Sequence, residues 1–296
     1  MTADTLELGQ PALDGSTKQD DDEEFLSVTT ILGAMDKPAL MFWSAEQTAL
    51  AAIHSRSTWQ GMLDDDDPDC THEDASCQAV KWLRDARFRK PKGIRSATEL
   101  GTMVHEACEE YALTGVKPTV DTEVQPFLDR FDEWLHRFQP EYQATEVTVY
   151  HPELRYAGTT DAFLTIGGVR YIADYKSTRK TVDTRGKATT PYPEQVALQL
   201  AAYRWATHAA VWRPRRMEKF RRRIYLLGEA ERELAQPVPE VDTGLVIHIT
   251  PDGCEAFPIR CDEDVFESYL AVHDTARWMF DASRHVMSDP LVEVPS

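Results

Sequence analysis

The chain has 296 residues, enough to bury a sizeable core without disulfides or a structural metal. With 42% hydrophobic and 9% aromatic residues it is not a disordered, fibrous or disulfide-framework protein. Fifty acidic against thirty-two basic residues give a net charge of -18, which as a total argues against a surface built to hold polyanionic DNA. The charge is segregated, however. Residues 151–250 carry 16 basic and 11 acidic side chains, and the excess acid lies in runs at 20–24 and 64–67 and in the last helical segment. Such runs read as solvated loops or arms. No stretch is long and apolar enough to span a bilayer and Met1 opens onto polar sequence, so the expectation is a cytoplasmic protein with no membrane partner. Cys70, Cys77, Cys108, Cys254 and Cys261 have no C-x-x-C spacing and read as reduced thiols.

In chain order, residues 1–24 read as a disordered acidic arm, with folding beginning near Phe25. Residues 29–35 and 38–56 read as helices, followed by an acidic loop to about residue 74. A helix over 75–89 leads into a basic patch, the next over 97–114 stops at Gly115 as a C′ glycine predicts, and another covers 122–138. At Thr145 the hydrophobic period changes from helical to alternating, giving strands at 146–150, 158–166 and 169–176, the last two joined by Gly167-Gly168. A helix over 193–207, a basic segment, a strand at 223–227, a hairpin from 245–250 and 256–260, and a helix over 262–283 complete the chain. The pattern is a helical N-terminal part over 25–140, then an α/β core over 141–296.

A two-residue turn at Gly167-Gly168 fixes the register of its hairpin and sets Asp161 directly across from Asp174, with Lys176 on the same face. Two carboxylates roughly 5 Å apart at Cβ repel unless a proton or cation lies between them. Hard oxygen ligands suit Mg²⁺, or Mn²⁺ in its place, better than zinc. A lysine beside that pair could orient or deprotonate an attacking water, or stabilise charge on a phosphate. The matching chemistry is metal-assisted phosphodiester hydrolysis. Further on, Gln199 and Tyr203 share one helical face at i and i+4, and upstream His105 and Glu109 sit one turn apart on a helix.

Taken together, Gly101-Thr102 with His105, residues 156–161 (YAGTTD), 173–177 (ADYKS) and 199–203 (QLAAY) resemble the RecB-like nucleases of the PD-(D/E)XK superfamily, over about residues 95–230. The opening around Val28 to Trp43 is similar to the start of RecB-like exonucleases carried by bacteriophages. The resemblance implies a restriction-endonuclease-like core, a mixed central sheet flanked by helices. It implies that Asp161, Asp174, His105 and the Tyr175 carbonyl hold the metal and that Lys176 is the catalytic lysine. Gln199 and Tyr203 would organise the site, Tyr203 also touching nucleic acid, with Glu146 and Glu109 as further candidates. Arg179, Lys180, Arg185, Lys187, Arg215 and Arg216 then become the expected contacts to DNA phosphates. CRISPR-associated relatives carry an iron–sulfur cluster on four cysteines, three of them close together; here only Cys254 and Cys261 lie downstream, so no cluster is expected.

The expected activity is that of a Mg²⁺-dependent DNA exonuclease acting on ends or single strands in phage-type recombination, replication or repair. A single-strand annealing or recombination protein is the expected partner, and the ring-forming relatives bring in a homo-oligomer. The alternatives are a structure-specific endonuclease of the same fold and a non-catalytic acidic DNA mimic. A zinc hydrolase built on His105 would lack the second histidine of H-E-x-x-H.

Overall fold

The computed structural model describes residues 21–35, 38–64, 77–85, 97–179, 193–219, 222–283 and 286. They form an α/β fold with a mixed sheet of ten strands flanked by helices. The chain enters on β1 (Glu23–Ser27), then α1 (Val28–Ile31) and a 3-10 turn, Leu32–Ala34. Residues Met35–Glu99 make a unit of their own, with α2 (Pro38–His54), α3 (Arg56–Asp64) and α4 (Gln78–Arg84). The main unit resumes in α5 (Ala97–Thr114) and continues with α6 (Gln125–Phe138), β2 (Glu141–His151), β3 (Tyr156–Ile166), β4 (Val169–Ser177) and α7 (Pro193–Arg204). After it come β5 (His208–Ala209), β6 (Arg215–Lys219), β7 (Arg222–Leu227), α8 (Glu229–Glu233) and β8 (Gln236–Pro237). The chain then runs through β9 (Thr243–Ile249), β10 (Cys254–Ile259) and α9 (Glu263–Arg277) into a π-helical turn, Trp278–Ala282. Among the described residues no helix is long and apolar enough to cross a membrane.

The long axis of the sheet runs β10-β9-β4-β3-β1-β7-β6. Gly167 and Gly168 close the β3–β4 hairpin with φ of +57° and +83°, the left-handed pair that a type I′ turn demands. The ladder runs from Ile166↔Val169 only as far as Ala162↔Ala173. On its other edge β3 is paired with β2 from His151↔Tyr156 to Glu141↔Thr165. The parallel partner β1 therefore uses the edge that β4 has left, at Leu26↔Tyr156 and Ser27↔Ala157. On that edge, between the two partnerships, residues 158–161 have no strand partner, and the sheet is forked there.

Helices cover both faces around this fork. On one, α6 buries Phe127, Leu128, Phe131 and Trp134, spaced as one helical stripe, against α5 and the Ala173 and Tyr175 side of β4. Burying each such aromatic contributes about 2–3 kcal/mol. On the other, α7 and α9 pack together, with Trp205 stacked on Phe266 at 5.7 Å and Tyr156 donating a hydrogen bond to the Ala202 carbonyl at 2.9 Å. Alternation along β4 turns Asp174 and Lys176 toward α7.

The described part of the first acidic run, residues 21–24, departs from the solvated arm expected of it. Residues 23 and 24 open β1, and Asp22 is buried against the guanidinium of Arg215. Glu23 takes Arg155 and Arg232, Glu24 lies 3.7 Å from Lys219, and Asp21 accepts the backbone N–H of Glu229 at 3.3 Å. The run is thus the counter-charge of the basic β6 and β7 region. Sequence reading also missed α3, which falls where an acidic loop was expected and is tied to α2 by Trp59 Nε1 donating to the Ala52 carbonyl at 3.1 Å. It missed β6 as well, because Arg-Arg-Met-Glu-Lys has no apolar alternation to signal an edge strand.

A surface pair gives a direct check on this part of the sheet. Arg170 donates to Asp242 through its guanidinium, at 2.9 Å, and through its backbone N–H, also at 2.9 Å. Those bonds hold the Asp242 carboxyl down to about 2 from its ordinary 3.8. Because the folded value is depressed, the contribution to stability is present above the ordinary value and lost as pH falls through about 2. In Arg170→Ala, an NMR titration should find Asp242 moving back up toward its ordinary value.

Candidate active site

The fork is closed by side chains instead of a strand. Where β3 leaves β4, Thr160 Oγ1 donates to the Ala173 carbonyl at 3.1 Å, and the Asp161 carboxylate accepts the backbone N–H of Tyr175 at 2.5 Å. Two backbone groups that would otherwise be orphaned at the end of the ladder are thereby satisfied. Asp161 and Asp174 are therefore not a ladder pair, although the register up to Ala162↔Ala173 is the one expected. The splay turns Asp161 along the sheet edge, toward its partner's neighbour.

The face on which β3 side chains lie changes within the fork. Gly158 lies against Tyr203 on the α7 side, while Ala162 and Leu164 face the α5 and α6 core. Strict alternation would put all three on one face. The change falls opposite Glu146, which lies between the pairs Thr145↔Ala162 and Val147↔Thr160 and adopts φ of +50°. A left-handed glutamate inside a strand is a local distortion of the kind that re-aims side chains beside a functional site.

Around Asp174 the network is dense. Asp174 is 3% exposed; its Oδ1 accepts Gln199 Nε2 at 2.8 Å, and its Oδ2 lies against the Lys176 ammonium, with no well-directed hydrogen bond of its own. Gln199 Nε2 is also 3.2 Å from the Tyr203 hydroxyl, so the i, i+4 pair acts as one relay behind Asp174. On α5, His105 places Nδ1 3.7 Å from Asp161 Oδ2 and its ring edge-on to Tyr175 at 5.9 Å. Asp161, Asp174, Lys176, Tyr175, His105, Gln199 and Tyr203, read from four separate segments, are thus brought together.

The electrostatics follow from burial of like charges. Burial first, and then the charge of Asp174, push the Asp161 carboxyl well above the usual carboxylate range. For Lys176, burial works to lower the ammonium's pKa, but Asp174 and Asp161 outweigh it and raise the value. His105 is lowered by burial, with Asp174 pulling up and Lys176 pushing down. Two neighbouring carboxylates sharing one ammonium leave an imbalance that a proton on Asp161 relieves when no metal is bound and that a divalent cation would relieve in its place. Among the described residues no three His, Cys, Asp or Glu side chains converge as a ready-made metal cage. Mg²⁺ does not need one, since it is commonly held by one or two carboxylates with water completing its shell. The Asp161 and Asp174 donor set, two hard carboxylates side by side with Lys176 against one of them, fits that mode.

Several expected residues fall elsewhere. Tyr203 is 2% exposed, packed beneath Gly158, so it supports Gln199 and is not a surface contact for DNA. Arg215 is spent on buried Asp22 and is likewise removed from the DNA-contacting set. Arg179 donates to Glu123 at 2.9 Å, and Arg213 to Glu109 at 2.9 Å. Burial raises the carboxyls of both Glu109 and Glu146, with Arg213 acting against it in each case. These glutamates belong to that arginine cluster beside the site. Arg216 is exposed, donating to Thr159 Oγ1 at 2.9 Å with its guanidinium 5.3 Å from the Tyr225 ring centre, and keeps its place as a candidate phosphate contact. Lys180, Arg185 and Lys187 lie outside the described residues.

Two residues of the site were missed. Gly158 carried one available signal, a glycine inside a strand, which often marks close approach by another group. Thr160 carried none, since threonine is an ordinary strand residue.

No family model matches this chain, and no curated protein matches it. Among solved structures it is similar to that of SSO0001, at 14% identity over 64% of this chain and 81% of that one. The TM-score is 0.27, too low to carry any argument about fold or function.

Proposed function

We propose that this protein is a metal-dependent deoxyribonuclease, an exonuclease that hydrolyses phosphodiester bonds at DNA ends. The observation that carries the reading is buried Asp174 with the part-buried Asp161 and Lys176 in a fork of the sheet, with Gln199 and Tyr203 bonded behind Asp174. Asp161 and Asp174 would hold Mg²⁺, with His105 and the Tyr175 carbonyl as the further ligands that the sequence resemblance implies. The ion would act as a Lewis acid on the scissile phosphate.

The protein's own groups have separable tasks. Lys176, kept as an ammonium by its two carboxylate neighbours, is placed to stabilise negative charge accumulating on the phosphate. Gln199 fixes the Asp174 carboxylate from the α7 side, and the buried Tyr203 hydroxyl fixes Gln199. Thr160 and Asp161 hold the fork open by satisfying β4 backbone groups, so that β3 can present its carboxylate without a ladder partner.

An acidic DNA mimic would need its acid displayed on the surface. Instead the described part of the first acidic run is consumed by Arg155, Arg215, Arg232 and Lys219. The same pairing limits the cations left for DNA. Binding of linear DNA should therefore be modest, assisted by Mg²⁺ and steeply weakened by salt. Fluorescence anisotropy between 50 and 200 mM salt tests this, and tight metal-free binding at the upper concentration would contradict it. The activity itself is tested by digesting linear, nicked and circular DNA labelled at either end with the purified protein and Mg²⁺. Loss of label from linear DNA alone is expected, and cleavage of closed circles would favour an endonuclease of the same fold.

A further inference from the structure

We propose that the cavity between β1, β7 and the end of α9 binds a nucleoside monophosphate, at a site separate from the Asp161 and Asp174 centre. The cavity has a volume of about 520 Å³, within the usual range for small-molecule sites. In a chain with a net charge of -18, its wall holds four cationic side chains, Arg155, Lys219, Arg222 and Arg277, against two acidic ones, Glu24 and Asp281.

The cations are prearranged. Arg222 donates to the Phe280 carbonyl at 2.8 Å, with its guanidinium 4.4 Å from the centre of that residue's ring. Arg155 is held by Glu23 and lies over the Phe25 ring at 5.0 Å. Each guanidinium has five N–H donors, more than these contacts use. Arg277 is exposed and has no ion-pair partner among the described residues. A phosphate monoester offers the charge and acceptor oxygens that such a set favours. Leu26, Ile224 and Phe280 supply an apolar wall suited to a base and sugar. Glu24 lies 3.7 Å from Lys219 and Asp281 3.5 Å from Arg222, so each acid offsets one cation, and the positive charge that remains suits one phosphate and not a polyphosphate or a longer strand.

Separation from the nuclease centre follows from the sheet. Leu26 pairs with Tyr156, whose ring is buried against Tyr269 at 5.2 Å with its hydroxyl on α7. Asp161 lies five residues further along β3, roughly 16 Å away along the strand. The proposal does not rest on the nuclease reading, although such a reaction would release this class of ligand.

The test is calorimetric titration of the full chain without divalent metal, using dTMP, thymidine, inorganic phosphate and a 5′-phosphorylated tetranucleotide. One dTMP should bind per chain, at least tenfold more tightly than each of the other three. Arg277→Glu, an exposed change, should weaken dTMP at least tenfold with the circular dichroism unchanged. Lys176→Met should leave dTMP binding as it was. Absence of dTMP binding, equal binding of phosphate or thymidine, tighter binding of the tetranucleotide, or loss in Lys176→Met would each overturn the proposal.

Discussion

Replacing Asp174 with Asn should lower Mg²⁺-dependent digestion of linear DNA by at least about 1,000-fold, or about 4 kcal/mol of transition-state stabilisation. The substitution is nearly isosteric and leaves an oxygen for Gln199 Nε2, now 2.8 Å away, so the fold should survive. It removes the charge that faces Lys176 and would bind the metal. Lys176→Met should produce a loss of the same order by a different route, since it deletes the ammonium but keeps both carboxylates. Measured together with circular dichroism and thermal melting, these variants separate chemistry from folding. Wild-type digestion by either folded variant would rule out the nuclease proposed on this site.

Gly158→Ala is expected to be the most destabilising single-methyl addition near the site. A Cβ there would lie 2.2 Å from Tyr203 Cε1, 2.9 Å from Cζ and 3.0 Å from the hydroxyl. The ring has little freedom to yield, because Tyr203 is 2% exposed and its hydroxyl is bonded to Gln199. Overpacking of this kind costs about 1–3 kcal/mol or more. Tyr203→Ala should itself cost about 3–5 kcal/mol through the cavity it leaves. In the double variant the methyl enters that cavity, so urea unfolding should show a combined loss smaller than the sum of the two. Strict additivity would mean that residue 158 does not press on the ring. Activity should fall in Gly158→Ala even at temperatures where it remains folded, because displacing Tyr203 loosens Gln199 from Asp174.

The parts of this molecule that were legible in the sequence are those with a local signal. The β3–β4 hairpin could be read from Gly167-Gly168 and alternation, and α5 from its amphipathic run and Gly115, which takes φ of +66°. The α/β class followed from the change of period at Thr145, while the mixed sheet was what the family resemblance implied. The candidate site was legible as residue types in order, but not as geometry. Register arithmetic placed Asp161 opposite Asp174 because it assumes a continuous ladder, and nothing in the sequence announces that β3 parts from β4 there. The insertion of β1 beside β3 was invisible for the same reason. Its acidic start looked like a solvated arm, and only the approach of Arg155, Arg215 and Arg232 from distant segments makes that start a strand. Tyr203 was misplaced as a DNA contact because a helical pattern gives a face, and burial depends on what covers that face.

The position of β1 also bears on how the chain reaches its native state. Glu23 to Leu26 pair with residues 224–227, some two hundred positions later in the chain, and β3 is the other neighbour of this strand. Closing so long a loop before any contact rewards it is the slow event in a fold of high contact order. During synthesis β1 emerges first yet has no complete sheet to enter until β7 has been made. The fork at β3 should therefore be among the last features to form. Hydrogen exchange pulsed during refolding would detect this as late protection of the Tyr175 amide, well after the amides of α5 and α6.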